Sequence, residues 1–443
     1  MDCFVTKQKM TGANHLVWEL NTLRIEIILC IRQKTWLAGK RADDGAEGLW
    51  RIHDDLYDFC SFVNDHPGGR EWLSLTKGTD ITEAFESHHL SQVPKKMMGK
   101  FFVRKARQAR NSPFTFHEND FYDTLKKKIY KELPNIPKAP AARSKFLADI
   151  LFFCYLSAAL LAAYFKSFTI GTAAGIFLCL TAVAAHNFFH QRDNFRMYYF
   201  DFTLLRSRDW RISHALSHHL YTNTVNDLEI SSLEPFLQYL PTKKHFVIRY
   251  MSWIYSPLFY AFIYIGQFTK NLTEIMITGQ GFTWEMLLPF TVPILMVAIT
   301  KEVTYVVIMF LWIIVVSSIH FGVVGLNAAH HHPDIFHDGD TPRSKEEMDW
   351  GIYQLDAVMD RKDITGSHFL VLTNFGDHAL HHLFPTIDHG LLEHMYPVFL
   401  ETCKEFGIEW KLSSQFELIK GQYRQLAKTI PNRYPPKALV KEN

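Results

Sequence analysis

The stretch that decides the fold is "NFGDHALHHLFPTIDHG", residues 374–390, in which three histidines stand close together. His378, His381 and His382 occupy positions i, i+3 and i+4, so a helix places all three imidazole rings on one face. Three weakly basic rings on one face make a poor packing surface but a suitable set of ligands for a transition metal. The spacing therefore predicts a metal site, provided that the rest of the chain supplies further ligands.

Two more histidine clusters supply such ligands. The segments "AAHNFFHQRDN" (184–194) and "ISHALSHHLYTN" (212–223) again place histidines one helical turn apart. The predicted ligand set has eight members: His186, His190, His214, His218, His219, His378, His381 and His382. Imidazole suits iron, and helices that project ligands inward hold two metals at a fixed separation. The pattern favours a membrane di-iron site with all-histidine ligation over structural zinc, which needs only four ligands.

The remaining histidines have weaker sequence support as metal ligands. The stretch "GLNAAHHHPDIFHDGD" (325–340) offers candidates for one further iron ligand, namely Asn327 and His330 or His331. His389 and His394 could orient the third cluster and are left unassigned. Histidines without clustered neighbours are interpreted as surface, hydrogen-bonding or helix-interface residues: His15, His53, His117, His245 and His320.

The composition of the 443-residue chain narrows the class of protein. A formal net charge of +2 gives no reason to expect a nucleic-acid partner. The six cysteines are scattered, without a C-x-x-C or C-x-x-C-H motif. Their spacing argues against a zinc ribbon and against covalently attached haem, and it favours reduced thiols that face the cytosol.

Long apolar segments place part of the chain in a membrane. Residues 146–165 and 168–185 are each long enough to cross a hydrocarbon core of about 30 Å as a helix, and they form a helical hairpin. A second pair, 286–300 and 303–326, resembles the first, so about four transmembrane helices are predicted. The apolar segment 251–268 is expected to lie along the interface, because a further crossing would put the third histidine cluster on the other side.

The orientation follows from charge. Residues 126–145 carry seven Lys and Arg against one acid, and basic residues stay on the cytosolic side. Both termini and all three histidine clusters are therefore predicted to face the cytosol. The glycosylation sequon at Asn271 is then cytosolic and unused.

The order H-x-x-x-H, H-x-x-x-H-H, H-x-x-H-H, with apolar hairpins around it, resembles the membrane fatty acid desaturase superfamily from about residue 145 to 397. The motif "HHLFP" is specific to that superfamily. The resemblance implies two non-haem irons bound by the eight histidines, O2 as the oxidant, and a fatty acyl substrate at the endoplasmic reticulum membrane. One position departs from it: fused desaturases that act near the carboxyl end usually begin the third cluster with Gln, and this chain has His378. The position of a double bond is therefore not implied.

A second pattern lies in "LWRIHDDLYDFCSFVNDHPGGREWLSLTKGTDITEAFESHH", residues 49–89. Pro67 and the two glycines after it make a tight turn behind His66, and the chain returns to bring a second histidine opposite the first. The pattern resembles a cytochrome b5 domain, which implies haem b with His66 and His89 as axial ligands; His88 is the alternative. Two axial histidines leave no open position for O2 and favour electron transfer.

The surroundings of this second pattern predict how electrons arrive. Five acidic residues are expected to form an acidic rim that attracts a basic reductase: Asp65, Glu71, Asp80, Glu83 and Glu86. The resemblance implies NADH-cytochrome b5 reductase as that partner. The basic, proline-punctuated segment 106–145 is interpreted as a linker over anionic lipid. Tethering the two halves raises the effective concentration of the electron donor.

The predicted fold class is multi-domain, with a small α+β haem domain followed by an all-α membrane domain that has cytosolic and interfacial helices. The predicted boundaries are 35–105 for the haem domain, 106–145 for the linker, 146–430 for the membrane domain and 431–443 for a C-terminal tail, with 1–34 unassigned. From Thr35 onward the chain closely resembles the insect cytochrome b5-related proteins, which are fused members of the superfamily.

The predicted function is an O2-dependent fatty acyl desaturase fed by its own haem domain. A lipid hydroxylase is the alternative enzyme, because the same oxidant can leave a hydroxyl group on the chain. A third interpretation, from a different class, is a membrane haem-binding electron-transfer protein whose iron site is inactive.

Overall fold

A computed structural model of the protein describes residues 32–326 and 329–436. A small N-terminal α+β unit comes first. Its antiparallel sheet has the order β1-β2-β3, formed by β1 (Trp50–Ile52), β2 (Asp55–Tyr57) and β3 (Phe102–Lys105). Its helices are α1 (Arg32–Asp43), α2 (Arg70–Thr76), α3 (Thr82–His88) and α4 (Val93–Met97). Apolar side chains from sheet and helices, among them Trp50, Leu73 and Phe85, form a core of their own.

The rest of the chain is almost entirely helical. Its first part contains α5 (Phe121–Glu132), α6 (Ala139–Tyr164), α7 (Phe168–Phe189), α8 (Ser207–Trp210), α9 (His219–Tyr221), α10 (Phe246–Thr278), α11 (Leu288–Thr300) and α12 (Val303–Leu326). Its second part contains α13 (Trp350–Asp356), α14 (His368–Thr373), α15 (His378–Leu383), α16 (His389–Leu392), α17 (Tyr396–Phe406) and α18 (Gln415–Ala427), with a short parallel pair of strands, β4 (Asp360–Arg361) and β5 (Leu412–Ser413). The predicted fold class is confirmed.

Within the described ranges, three helices are long and apolar enough to cross a membrane: α6, α7 and α12. The sequence predicted about four crossings. The fourth, in 286–300, is the shorter helix α11, which has 13 residues. At 1.5 Å per residue α11 is only ~20 Å long, less than a hydrocarbon core. Lys166 in the first hairpin turn pairs with Glu302 in the second at 2.7 Å, so the two turns lie at the same end of the bundle.

Close packing and paired polar groups hold the bundle together. A Cβ atom on Gly175 of α7 would come within 2.8 Å of the Ile313 carbonyl oxygen of α12, so only glycine permits this approach of the two backbones. The acid in the first apolar helix, Asp149, receives hydrogen bonds from Arg196 at 2.6 and 2.8 Å and from Tyr199. A charge beside the hydrocarbon region is thereby neutralised within the chain.

The long helix α10 contains the segment 251–268 that the sequence places along the interface. Near its start Arg249 donates a hydrogen bond to the Ala427 carbonyl at the end of α18, and near its end Glu274 pairs with Lys34 of α1 at 2.5 Å. Both ends of α10 thus contact elements on the histidine-bearing side of the bundle. These contacts support an interfacial position for α10 and disfavour a crossing.

The segment 106–145 differs from the linker that its charge suggested. Its helix α5 buries Phe121, Tyr122, Leu125 and Ile129 in a second core, together with side chains of α13, α15 and α17. The sequence interpretation followed the lysines and missed the apolar stripe on the opposite face of the same helix. The segment is therefore a packed part of the histidine-bearing half and more than a connection between the two halves.

Candidate metal and haem centres

The predicted iron ligands meet at the end of the bundle. His186 lies in the last turn of α7, and His190 follows immediately after that helix. Residues 211–218 form a π-helix, a form often found at functional sites, which supplies His214 and His218. Helix α9 begins with His219. The short helix α15 supplies the remaining three histidines. All eight side chains are buried.

Among the described residues these histidines form two all-histidine groups, each with ligand atoms within 4.8 Å of one another, and His214 and His218 form a third, smaller group with Glu229. The first group contains His186, His190, His214, His219 and His381, and the second contains His218, His330, His378 and His382. The sequence did not predict this division into two groups, because the clusters lie far apart in the chain. Even adjacent residues, such as His218 and His219, belong to different groups.

The fold distinguishes between the two histidine candidates for a further ligand. His330 belongs to the second group, with its Nε2 atom 2.7 Å from Nε2 of His378. His331 points away, and its ring stacks on Tyr239 with centroids 3.6 Å apart. Of the two histidine candidates, His330 alone therefore lies with the ligands. Asn327 lies outside the described residues.

The spacing of the nitrogen atoms fits metal ligation. Nε2 of His186 lies 2.7 Å from that of His214, 3.1 Å from that of His190 and 3.2 Å from that of His381. Ligands about 2.1 Å from a shared ion are ~3.0 Å apart at a right angle and ~3.4 Å apart at a tetrahedral angle. In addition, Nε2 of His382 is buried without a hydrogen-bond partner in the described ranges. A metal ion in each group would satisfy these converging lone pairs.

The opposite nitrogen of most rings is held by a second residue. Nδ1 of His218 lies 2.8 Å from Asp227, and Nδ1 of His214 lies 2.9 Å from Glu229. Further Nδ1 contacts orient the remaining rings: His382 to Gln354, His381 to His389, His330 to the Ala357 carbonyl and His378 to the Phe375 carbonyl. Such contacts fix the tautomer that leaves Nε2 free to bind a metal.

The electrostatics of the two groups follow from burial and from these acids. Burial, with neighbouring imidazoles, lowers the pKa of His219 and His382 well below the usual value, so both are neutral and can donate a lone pair. Burial would also lower the pKa of His218, but Asp227 and Glu229 raise it to about 9. The second group thus lies beside a negative charge that balances a bound cation.

A mainly apolar cavity has several predicted metal ligands in its wall. The cavity has a volume of about 480 Å³ and is lined by Phe262 and Ile263 of α10 and by Phe321 of α12. His214 and His378 form part of its inner wall. An acyl chain in this space would bring its methylene groups to the metal centre while the aromatic side chains exclude water.

The haem crevice lies in the N-terminal unit. The His66 and His89 rings face each other with centroids 6.1 Å apart. Rings that bind one iron from opposite sides through Nε2 place their centroids ~6 Å apart, given metal–nitrogen distances of about 2.1 Å. Nδ1 of His66 contacts the Gly69 carbonyl and Nδ1 of His89 contacts the Phe85 carbonyl, both at 3.0 Å. A mainly apolar cavity of about 570 Å³ surrounds the two rings.

His88, the alternative axial ligand, has different neighbours. Its Nδ1 atom lies 2.9 Å from the Ala84 carbonyl, and its ring lies on Trp72 with centroids 5.5 Å apart. Its ring does not oppose His66 in the way that the His89 ring does. The crevice therefore supports His66 and His89 as the axial pair.

The crevice has a wall that belongs to the metal-binding half. His190, Gln191, Arg192, Leu216 and Thr386 all line the haem cavity. His190 is also a member of the first metal group. The two centres thus share a side chain between them.

Arg211 joins the two halves at this wall. Its guanidinium pairs with Glu71 of the N-terminal unit at 3.1 Å and with Asp193 at 2.7 Å. It also lies over the Trp72 ring, 4.8 Å from the centroid. Arg211 begins the π-helix that holds two metal ligands, so the docking contact and the ligand helix are one element.

The acidic rim predicted to attract a reductase is mostly used for this docking. Glu71 pairs with Arg208 and Arg211. The remaining internal pairs join Asp80 and Glu83 to Arg110, and Glu86 to Lys95, Lys126 and His53. Asp65 is exposed. The prediction of a free acidic rim is therefore wrong, because four of its five members are paired within the chain.

The comparisons with known proteins agree with this architecture. A family model described as Fatty acid desaturase matches residues 162–413, and one described as Cytochrome b5-like Heme/Steroid binding domain matches residues 37–107. The chain belongs to the fatty acid desaturase family. Its N-terminal unit is a cytochrome b5-like domain fused to that family's membrane domain, which confirms the resemblance inferred from the motifs.

Individual relatives of this chain fall into two kinds. It is 43% identical to "Cytochrome b5-related protein" of Drosophila melanogaster, over 92% of this chain and 94% of the relative. It is 22% identical to "Probable Delta(5) fatty acid desaturase C" of Dictyostelium discoideum, over 83% and 89%, and 23% identical to "Acyl-lipid (8-3)-desaturase" of Mortierella alpina, over 82% and 90%. No solved structure matches the chain.

Several residues of this desaturase-family site were missed from the sequence. Asp227, Glu229 and Gln354 contact Nδ1 atoms of predicted metal ligands. His389, which the sequence left unassigned beside the third cluster, contacts Nδ1 of His381. A signal existed for the two acids, since "NDLE" (226–229) places them soon after the second cluster in a region with few charges. Gln354 has no such signal, because its contact with His382 exists only in the folded chain.

Proposed function

We propose that the protein is a membrane-bound, O2-dependent fatty acyl desaturase that receives electrons through its own haem domain. One observation supports this most strongly: two separate cavities, one mainly apolar and one at the haem crevice, each have members of the histidine groups in their walls. Acyl substrate and electron donor can then reach the histidine groups through different cavities.

The chain's own residues have distinct parts in this function. His66 and His89 would hold haem b, and the nine histidines of the two groups would hold two non-haem irons. Bound there, the iron pair supplies, with O2, an oxidant able to remove hydrogen from an unactivated C–H bond. The apolar residues of α10 and α12 hold the acyl chain and exclude water. Asp227 and Glu229 keep the ligand rings in register through their Nδ1 atoms.

We further propose the endoplasmic reticulum membrane as the site of action, with haem domain and metal centre on the cytosolic face and NADH-cytochrome b5 reductase as electron source. The basic flank of α6 supports this orientation. Asn271 is buried, which agrees with an unused sequon. Protease protection in sealed microsomes tests the topology, and a glycan on Asn271 in the native protein would contradict it.

The function is tested by mass spectrometry of total fatty acids in cells with and without the full-length protein. We expect a new acyl species that has lost two hydrogens, and we expect it to be absent with the His381→Ala variant. Purified protein should contain about two non-haem irons per chain, in line with the two ligand groups. A species that gains one oxygen would identify a hydroxylase instead. Unchanged lipids with both cofactors loaded would indicate an electron-transfer protein.

A further inference from the structure

The mainly apolar cavity beside the metal ligands runs along one face of α10. The residues of α10 in its wall occupy positions i, i+3, i+4, i+7, i+8 and i+11, which share one face of a helix: Phe259, Phe262, Ile263, Gly266, Gln267 and Lys270. At 1.5 Å per residue these positions cover ~16 Å of the helix. The first three side chains are apolar and the last two are polar, so the two ends of the cavity differ in character.

The polar end of the cavity lies beside the C-terminal part of α10. Gln33 of α1 is in the wall here, because the next residue, Lys34, pairs with Glu274 of α10 at 2.5 Å. Gln267 and Lys270 face the same end of the cavity. The two amide groups and the ammonium group can all donate hydrogen bonds to the oxygens of a carboxyl group. This end therefore suits the carboxyl end of an acyl chain.

The aromatic end of the cavity lies beside the N-terminal half of α10. Phe236 stacks on Phe259 with centroids 4.4 Å apart, and the Phe236 carbonyl accepts a hydrogen bond from Tyr255 at 2.6 Å. Both phenyl rings are in the cavity wall. Glu234, two residues before Phe236, is also in the wall, and its carboxylate disfavours a second carboxylate nearby. This end therefore suits the methyl end of the chain.

Metal ligands lie in the wall between the two ends. Asp209 belongs to the polar end, because its partner Arg206 donates a hydrogen bond to the Gly281 carbonyl just beyond α10. Further along the same segment His214 is in the wall, and His218 follows one turn later. An acyl chain with its carboxyl group at the polar end thus passes the metal ligands partway along its length.

Gly266 lies on the cavity face of α10, at the change from apolar to polar lining. Glycine inside a helix destabilises it relative to alanine, and Gly266 is in the middle of a 33-residue helix. A Cβ atom on Gly266 would meet no atom within 4 Å, so close packing does not require glycine there. Gly322 of α12, in the same wall, is the contrast: its Cβ would come within 2.7 Å of Tyr260. The missing side chain of Gly266 leaves space in the cavity itself.

We propose that Gly266 is a specificity-determining residue, which leaves room for the carboxyl-proximal part of the acyl chain between the polar end and the metal ligands. The inference rests on the proposed function, since it takes the occupant of the cavity to be an acyl chain. A larger side chain at this position would fill the space that the chain needs and would weaken its binding, while the helix itself could accept the change.

The test is photo-crosslinking of the purified holoprotein under anaerobic conditions, followed by peptide mass spectrometry. The probes are two analogues of stearic acid, with a diazirine either beside the carboxyl group or at the methyl end. In the wild type we expect the first probe to label the segment around Gln267 and the second to label those around Phe236 and Phe259. In Gly266→Leu, labelling by both probes below saturation should fall about ten-fold or more, as expected for added methylene groups in an apolar site.

Three further variants separate the cavity from the fold. Thr269→Leu places the same side chain on an exposed position of α10 outside the cavity wall and should be labelled as wild type. Gly266→Ala should raise the melting temperature, because alanine stabilises a helix, and should lose less labelling than Gly266→Leu. Gly322→Ala should lower the melting temperature, because its Cβ would collide with Tyr260.

Three results would overturn the inference. They are wild-type labelling in Gly266→Leu, a lower melting temperature in Gly266→Ala, which would assign the glycine to packing, and reversed labelling, with the methyl end beside Gln267. The proposed function is judged separately. Wild type that is labelled as expected but makes no desaturated product would contradict the desaturase and still support Gly266 as part of an acyl-binding site. Desaturated product without labelling of the cavity wall would support the desaturase and overturn this inference.

Discussion

The haem crevice and the metal centre are both built from histidine, but the chain assembles them differently. The crevice takes His66 and His89 from one short segment that folds around its own core. The candidate metal centre brings together nine histidines from four separate segments between residues 186 and 382. Local motifs therefore suffice for haem, whereas the metal groups exist only when the helical half has assembled. The shared wall at His190 is the place where the two kinds of site depend on each other.

The largest expected effect separates the two centres. His330→Ala leaves the second metal group with three of its four histidines. Activity should therefore fall by more than about 100-fold, which exceeds the loss expected when a residue that only orients a ligand is changed. Acyl products and non-haem iron are measured together with the haem spectrum, which should not change. The matched control is His331→Ala, whose ring stacks on Tyr239 outside the groups. Equal losses in the two variants would contradict the assignment of His330.

The converse variant removes haem alone. His89→Ala should abolish the two-histidine haem spectrum. The iron content should be retained, because the Nδ1 atom of His89 contacts the Phe85 carbonyl and not a predicted metal ligand. Activity should fall about 10- to 100-fold and recover partly when soluble cytochrome b5 is added, since a separate donor lacks the effective concentration of a tethered one. Loss of iron together with haem would show that the metal groups depend on the haem domain, against the separate assembly of the two sites.

A smaller effect is expected from the residues that orient the ligands. Asp227→Asn keeps the size of the side chain but removes the charge beside His218, so the affinity of the second metal group should fall about 10- to 100-fold. Chelator competition measures it. Glu229→Gln is the matched change at His214 of the first group. Unchanged affinity in both variants would show that burial alone orients these rings.

The last effect concerns the contact between the halves and changes the stability of the fold, not the metal sites. Burial alone would raise the pKa of Glu86, but His53, Lys126 and Lys95 hold it well below its usual value. Lys126→Met removes one buried partner at 2.6 Å, and we expect about 2–3 kcal/mol lower stability in urea unfolding because two partners remain. Adding Glu86→Gln to that variant should restore part of the loss.

The acid response of this contact has a defined sign. A lowered folded-state pKa means that the stability supplied by Glu86 is present above its unfolded value of about 4.3 and is lost as the pH falls below that value. Glu86→Gln should therefore flatten the loss of stability between neutral and acid pH. The same slope in wild type and variant would assign the acid response to other carboxylates.

Much of the architecture was predictable because its signals are local. The turn after His66 and the return to His89 lie within one segment, so the haem pair follows from spacing. Helical offsets within each cluster likewise predicted eight metal ligands, all of which lie in the two groups. The length of α12 and of the first hairpin followed from hydrophobic runs.

Other features required the tertiary structure, because they join residues that are far apart in the chain. His330 and His331 are adjacent and chemically alike, and only the packing of His330 against His378 distinguishes them. The acids of the haem domain look like a docking surface for a reductase until Arg110, Lys126 and Arg211 are folded against them. Charge and periodicity in a sequence report what a side chain can do. Its partner is decided by the assembled core, which brings the haem crevice against the metal ligand His190.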